Sequence, residues 1–270
     1  MDSSEKAVQG GHYAKKQIYS RDWLISWSHR QRFRVGLRAA RQFEGRRILD
    51  YGCGDGTFLA MLARQASGRG RTVGCELSES VVADCRARLG GRSGLIFAAI
   101  DELDQPEHRN AYDLVICMEV LEHIVDVTPV LERFGRLMAP DGRVLISVPV
   151  ETGVPLIIKQ IARRVAGWRG LGDYPGTASY SFQELCVSLV AGRRERVARP
   201  VYKDEAGMPF HDHKGFNWAV LRDKVARRFD VVRTFSAPFE WLPRQMATQV
   251  WFLARPRNPV GSTPRESGRC

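Results

Sequence analysis

Two stretches of the chain combine residue types and spacings that chemistry could use. The first is Asp50-Tyr51-Gly52-Cys53-Gly54-Asp55-Gly56, between an apolar strand end at Ile48 and Leu49 and an apolar helix start at Phe58. Glycine at every second position lets a ligand approach the backbone where any Cβ would collide. The turn also feeds a helix N-terminus, whose free N–H groups suit a carboxylate or phosphate. The spacing is not Gly-x-Gly-x-x-Gly and no Gly-Lys-Ser/Thr follows, unlike the phosphate-cradling motifs. Asp50, an acid beside glycine amides, suits a ligand bearing both ammonium and carboxylate, which means an amino acid. The second stretch is Glu119-Val120-Leu121-Glu122-His123. Read as the opening of a helix, it puts positions 119, 122 and 123 on one face at i, i+3, i+4. Two carboxylates and an imidazole could hold a divalent cation there; the alternative is two helix acids and a hydrogen-bonded histidine. About 90 residues downstream, Pro209 to Trp218 supplies His211 and His213, which with His123 are candidate general bases.

The elements that must position these residues alternate along the chain. Arg71 to Glu76 reads as a second strand, with a helix start at Leu77-Ser78-Glu79-Ser80. Leu95 to Ala99 reads as a third strand, with Asp101 at its end. Tyr112 to Met118 is a nearly continuous apolar run, the mark of a central parallel strand. A helix is predicted from Glu119 to about Met138, a turn at Pro140-Asp141-Gly142 and a fifth strand from Arg143 to Pro149. Strands alternating with helices predict a doubly wound parallel α/β sheet. In such sheets ligands lie outside the carboxyl ends of the strands, where Asp50, Glu76, Asp101 and Glu119 all fall.

The glycine stretch resembles the first motif, Leu-Asp-x-Gly-Cys-Gly-x-Gly, of class I S-adenosylmethionine-dependent methyltransferases, through Leu49, Asp50, Gly52, Cys53, Gly54 and Gly56. The resemblance implies a seven-stranded Rossmann-like sheet and S-adenosyl-L-methionine as cofactor. It makes Glu76 the acid that accepts the ribose hydroxyls and Asp101 the residue for the adenine amino group. Tyr51, Leu77, Met118 and Glu119 join the glycines in the implied cofactor site. The segment His211-Asp212-His213-Lys214-Gly215-Phe216-Asn217-Trp218 is similar to the Asp-His-Lys-Phe-Glu-Trp segment of small-RNA 3′-terminal 2′-O-methyltransferases. Carried over, that likeness makes Glu119, Glu122, His123 and His213 the ligands of a divalent metal, with Mn, Mg, Zn or Fe as candidates. Gly215 is an insertion relative to it, and Asn217 replaces its glutamate. Glycan-pathway methyltransferases have a comparable His-x-x-Gly-Phe, and ubiquinone-biosynthesis O-methyltransferases share the Glu-His element and a variable insertion after the fifth strand.

Outside this core the reading is coarser. Residues 1–20 are polar and predicted to be loose, and Asp22 to Phe43 is predicted as a helix with Trp23 and Trp27 in the core. Pro155 to Arg169 is a basic amphipathic helix candidate, either a lid over the substrate or a contact for an anionic membrane. Another helix is expected at Tyr180 to Leu189, a third at Ala219 to Phe229, and a final antiparallel strand pair at Asp230 to Ser236 and Thr248 to Ala254. The resulting division is an N-terminal extension (1–45), a cofactor-binding core (46–150), a helical lid (151–205), a completion of the sheet (206–255) and a disordered tail (256–270).

Composition bounds the rest. The net charge of +11 admits nucleic acid, an anionic membrane or a phosphorylated substrate, but arginine dominates throughout the helices and no aromatic-interleaved basic motif appears. Six scattered cysteines without a Cys-x-x-Cys pair suit reduced thiols rather than disulfides or zinc. The lack of a signal core or of a roughly 18-residue apolar span predicts a cytoplasmic protein. The leading reading is O-methylation of a small hydroxylated molecule such as a sugar, quinol or lipid-linked precursor. The alternatives are an RNA ribose 2′-O-methyltransferase and a non-catalytic cofactor-binding module.

Overall fold

The computed structural model describes residues 3–65, 70–91, 94–168 and 178–257. Its strands are β1 (Ile48–Tyr51), β2 (Thr72–Glu76), β3 (Leu95–Ala99), β4 (Tyr112–Met118), β5 (Met138–Pro149), β6 (Val201–Lys203), β7 (Pro209–His211), β8 (Phe229–Ala237) and β9 (Gln249–Pro256). Seven form one sheet in the order β3-β2-β1-β4-β5-β9-β8, while β6 and β7 pair separately. The first five run parallel, and β9 enters antiparallel between β5 and β8. The order reverses between β1 and β4, and the carboxyl ends of those two strands open the crevice such folds use for ligands.

Strand periodicity divides the core. Leu114 and Ile116 of β4 pack with Phe33 and Leu37 of α2 (Trp23–Ala40) and Phe58 of α3 (Thr57–Gln65). Val115 and Cys117, one residue out of phase, pack with Leu131 and Phe134 of α5 (Thr128–Leu137) and Leu221 and Val225 of α8 (Trp218–Arg228). Helix α4 (Glu79–Leu89) covers β3 through Val82, Cys85 and Leu89. Burial on both faces explains why β4 reads as a nearly continuous apolar run.

Four sequence expectations are corrected. Residues 3–20 are folded: α1 (Ser3–Gln9) and a π-helical turn (Ala14–Ile18) bury Val8, Ala14 and Ile18. Trp23 and Trp27 are not core residues, at 74% and 37% exposed; the buried stripe of α2 runs instead through Phe33, Leu37 and Ala40. The helix expected from Glu119 starts only at Thr128. Pro129 has no N–H to give and would clash with the carbonyl four residues back, so the helix begins beside it. The Asp126 carboxylate accepts the Thr128 N–H at 2.9 Å as that start is made. Finally, Pro140 to Gly142 do not end a helix in a turn; β5 runs through them, with an irregular register against Tyr112 and Leu114.

After β5 come α6 (Gly153–Trp168) and α7 (Phe182–Leu189), where two helices were expected. A capping box between Ser181 and Glu184 starts α7, and the Asn217 side chain caps α8 by accepting the Ala219 N–H at 2.9 Å. The side chains of Arg163, Arg164 and Arg169 and the tail beyond residue 257 lie outside the described residues.

Candidate functional site

A cleft of about 280 Å³ lies beyond β1 and β4. Its floor is the glycine turn. Gly52 has φ +76°, and a Cβ there would stand 2.4 Å from the Val120 side chain, so no other residue fits. Gly54 has φ +54° with open space before it. Glu76 pins the turn from the end of β2: its carboxylate accepts the N–H of Gly54 at 2.9 Å and of Leu77 at 2.7 Å. Asp50 is only 1% exposed, and neither carboxylate oxygen has a hydrogen-bond partner among the described residues. Burial, and secondly the charge of Glu76, push its carboxyl up to about 7. An unpaired buried carboxylate is costly, and an ammonium brought by a ligand would offset that cost.

The other predicted cofactor residues are distributed unevenly. Cys53, Met118 and Glu119 line the cleft with Gly52 and Gly54, whereas Gly56 (φ +73°) lies outside it, against Leu89 and Phe97. The Tyr51 side chain packs in the core against Phe134, ring centres 5.0 Å apart, so only its backbone belongs to the turn. Leu77 is 57% exposed, and Asp101, also exposed, uses Oδ1 to accept the Glu102 N–H at 3.0 Å.

The roof of the cleft was not foreseen. Arg32 and Tyr13 line it together with Phe33 and Phe58. The Arg32 guanidinium, 9% exposed, pairs with the Glu119 carboxylate at 3.1 Å and donates to the Tyr13 hydroxyl, which bonds His29 Nδ1 at 2.8 Å. The Ala14 N–H donates to the Asp55 carboxylate at 3.0 Å, which ties the N-terminal segment to the glycine turn. Arg32 occupies the buried face of α2 beside Phe33, where a cation demands a partner. The arrangement offers an acid (Asp50) for an ammonium, a buried guanidinium (Arg32) for a carboxylate, and an acid at the end of β2 for a ribose.

Asp50 gives a pH prediction. With its ordinary value near 4 raised to about 7 in the folded chain, the carboxyl is protonated below pH 7 and its burial costs stability increasingly from about pH 4 to 7. A bound ammonium favours the ionised form. Calorimetry with S-adenosylhomocysteine should therefore show proton release on binding below pH 7, with affinity rising to about pH 7. Affinity flat from pH 5 to 7 would remove Asp50 from ammonium binding.

The second group is assembled across the chain. Between β4 and α5 the backbone makes a turn, and Glu119 opens it with φ +55°, unusual for a residue with a side chain. A main-chain clasp joins this turn to the segment around β7. The His211 N–H donates to the His123 carbonyl at 2.9 Å, His123 Nδ1–H donates to the His211 carbonyl at 2.8 Å, and Ile124 bridges to Phe210. The clasp brings the His123 and His213 rings to 4.8 Å between centres. Ligand atoms of Glu122, His123 and His213 all lie within 4.8 Å of one another. Glu122 is fully buried, and neither of its oxygens has a hydrogen-bond partner among the described residues; nor does His213 Nδ1. Burial raises the Glu122 carboxyl well above the usual range and lowers the His213 imidazole, which stays neutral at neutral pH.

These donors fit a divalent cation: two imidazoles and one carboxylate, clustered, with the His123 tautomer fixed by a carbonyl behind it. Glu119 is not among them. Its carboxylate is taken by Arg32 and accepts the Ser147 hydroxyl at 3.3 Å, because the turn places it over the cofactor cleft rather than on a helical face with Glu122. His211 also stands apart, its Nδ1 donating to the Pro200 carbonyl at 2.7 Å; its contribution to the cluster is its backbone.

Sheet order, glycine turn and strand-end acid together define a Rossmann-like methyltransferase architecture. A family model described as a methyltransferase domain matches residues 26–189. The chain is 30% identical to a ubiquinone biosynthesis O-methyltransferase of Mesorhizobium japonicum, over 79% of this chain and 78% of that one. A protein of the same name from Rhizobium etli is 30% identical over 72% of this chain and 73% of its own. The crystal structure of the PH0226 protein of Pyrococcus horikoshii shares the fold at TM-score 0.57 and 14% identity, covering 91% of this chain and 97% of that one. The chain belongs to the class I S-adenosylmethionine-dependent methyltransferases, enzymes that use S-adenosyl-L-methionine as methyl donor.

Proposed function

We propose that this enzyme O-methylates a small hydroxylated ring compound of the quinol type, with a divalent cation held by Glu122, His123 and His213. The observation that carries the reading is the cluster of those three residues, adjoining the cofactor cleft through Glu119 and Val120. The names of the two curated relatives support a quinone precursor as acceptor. Asp50, Arg32 and Glu76 bind the amino, carboxylate and ribose groups of the cofactor, which supplies an activated methyl group. What remains for the protein is alignment of the acceptor oxygen in line with that methyl and removal of its proton. His213, which burial keeps neutral, would give the cation its lone pair or, with no cation bound, take the proton itself, and His123 presents Nε2 because its Nδ1 is held by the His211 carbonyl. A cation in the cluster would lower the pKa of a bound hydroxyl, so that its proton leaves more readily. Helix α6 covers this side: Glu151, buried just before it, is paired with Lys159 at 2.8 Å.

The test is methyl transfer from labelled S-adenosylmethionine to catechols, hydroquinones, sugars and short RNA, with and without chelator. Label on a catechol or quinol, lost on chelation and restored by Mn or Zn, is the expected result. Label on the terminal ribose of RNA would replace this reading with RNA 2′-O-methylation.

A lipid-linked acceptor would be met at a membrane surface, and the exposed apolar side chains support such contact. Trp27, Phe239 and Trp241 form a ring cluster, with centres 6.4 and 5.6 Å apart, and Trp241 is 78% exposed. Trp23 lies one turn along α2, and α6, packed on the Arg244–Met246 turn, exposes Ile158 and Ile161. Tryptophan and aliphatic groups on a basic protein suit the interface of an anionic bilayer. Among the described residues no helix is long and apolar enough to cross a membrane. The chain is expected to float with phosphatidylglycerol vesicles, and Trp23→Ser with Trp241→Ser to remain with the unbound fraction. Equal flotation of the double variant would remove this patch from the reading.

A further inference from the structure

A second cavity, about 430 Å³ in volume, shares no lining residue with the cofactor cleft. Its apolar walls include the buried Leu121, Val127, Phe216 and Leu221. Three cationic side chains line it, Arg196, Arg199 and Lys224, against a single acid, Glu195. Arg196 and Lys224 make no ion pair with a described residue. His211, only 8% exposed, also faces this cavity: Nδ1 is spent on the Pro200 carbonyl, and Nε2 has no partner among the described residues. Arg199 lies over the Phe216 ring at 5.1 Å, and its Nε is buried without a partner. A volume of this size, apolar walls and a few converging polar groups have the make-up of a small-molecule site. The excess of positive charge selects an anion, and the walls select an apolar body behind it.

The polar groups of this cavity are also the groups that hold the catalytic turn. Arg199 donates to the Glu122 carbonyl, and His211 is bonded through its backbone to His123 in both directions. A ligand that draws Arg199 or His211 toward itself therefore acts on Glu122 and His123, and by linkage their state acts on the ligand.

We propose that the cavity is a second, regulatory site for an organic anion with an apolar body, read out by the Glu122–His123 turn. Octanoate is a suitable probe, titrated calorimetrically into the full chain saturated with S-adenosylhomocysteine, so that the cofactor cleft does not compete. One-to-one binding is expected, with octanol and inorganic phosphate, which carry one half of the chemistry each, at least tenfold weaker. Arg196→Glu combined with Lys224→Glu should weaken octanoate tenfold or more, and Val125→Trp, at the half-exposed rim, should block it. All three positions are on the surface, and unchanged melting curves would confirm that the variants fold. The imidazole resonances of His123 should move on titration in the wild type and stay still in the variants. Binding unaffected by both variants, phosphate binding as tightly as octanoate, no saturable binding, or a His123 resonance that ignores the ligand would each overturn the proposal.

Discussion

Replacing His213 with alanine is expected to lower methyl transfer about 10²–10⁴-fold, the range for loss of a positioned acid–base group, and to leave S-adenosylhomocysteine affinity nearly unchanged. The separation follows from geometry, since His213 does not line the cofactor cleft. Glu122→Gln should be as severe: it keeps the shape of a fully buried side chain and removes the one carboxylate of the cluster. Elemental analysis should find a divalent metal in the wild type and little in either variant, and exhaustive chelation should reproduce their loss. His211→Ala should cost far less, because His211 serves His123 through its backbone. Full activity in chelator with no metal in the purified protein would end the metal account and leave His213 as a metal-free base. Full activity in His213→Ala would end both.

The second large effect is expected at Arg32. Arg32→Met should weaken cofactor binding by about 10- to 150-fold, the equivalent of one lost charged hydrogen bond at about 1.5–3 kcal/mol. The melting temperature should fall as well, because Glu119, 19% exposed in that pair, is left as an unpaired, largely buried acid. Arg32→Lys separates the two roles. It keeps the charge toward Glu119 but loses the planar fork that holds a carboxylate at two points, so stability should recover more than affinity. Wild-type affinity in Arg32→Met would show that the cofactor carboxylate is bound elsewhere.

Both variants bear on what could be read before the fold was known. The glycine turn was legible because Gly52, Gly54 and Gly56 all take positive φ, and that leaves a spacing in the sequence. The central strand was legible because burial on both faces removes polar residues from it. The Glu119–His123 turn was misread because Val120, Leu121 and Ile124 mimic helical periodicity, and Pro129, which forbids that helix, lies ten residues past its supposed start. Arg32 was passed over because one buried arginine among many exposed ones has no compositional mark. The octanoate-sized cavity left no mark either, since its walls come from segments as distant as Leu121 and Lys224.

The clasp between the Glu122–His123 turn and the β7 segment is made largely by backbone atoms, and it joins residues 88 positions apart. Hydrogen bonds of that kind are indifferent to most side-chain replacements and to the length of chain between their ends. The α6–α7 insertion is therefore a cassette: its size and lining can drift, or be exchanged for another, while the reactive cluster stays in register. Insertions or replacements within α6 and α7 should leave Glu122, His123 and His213 together.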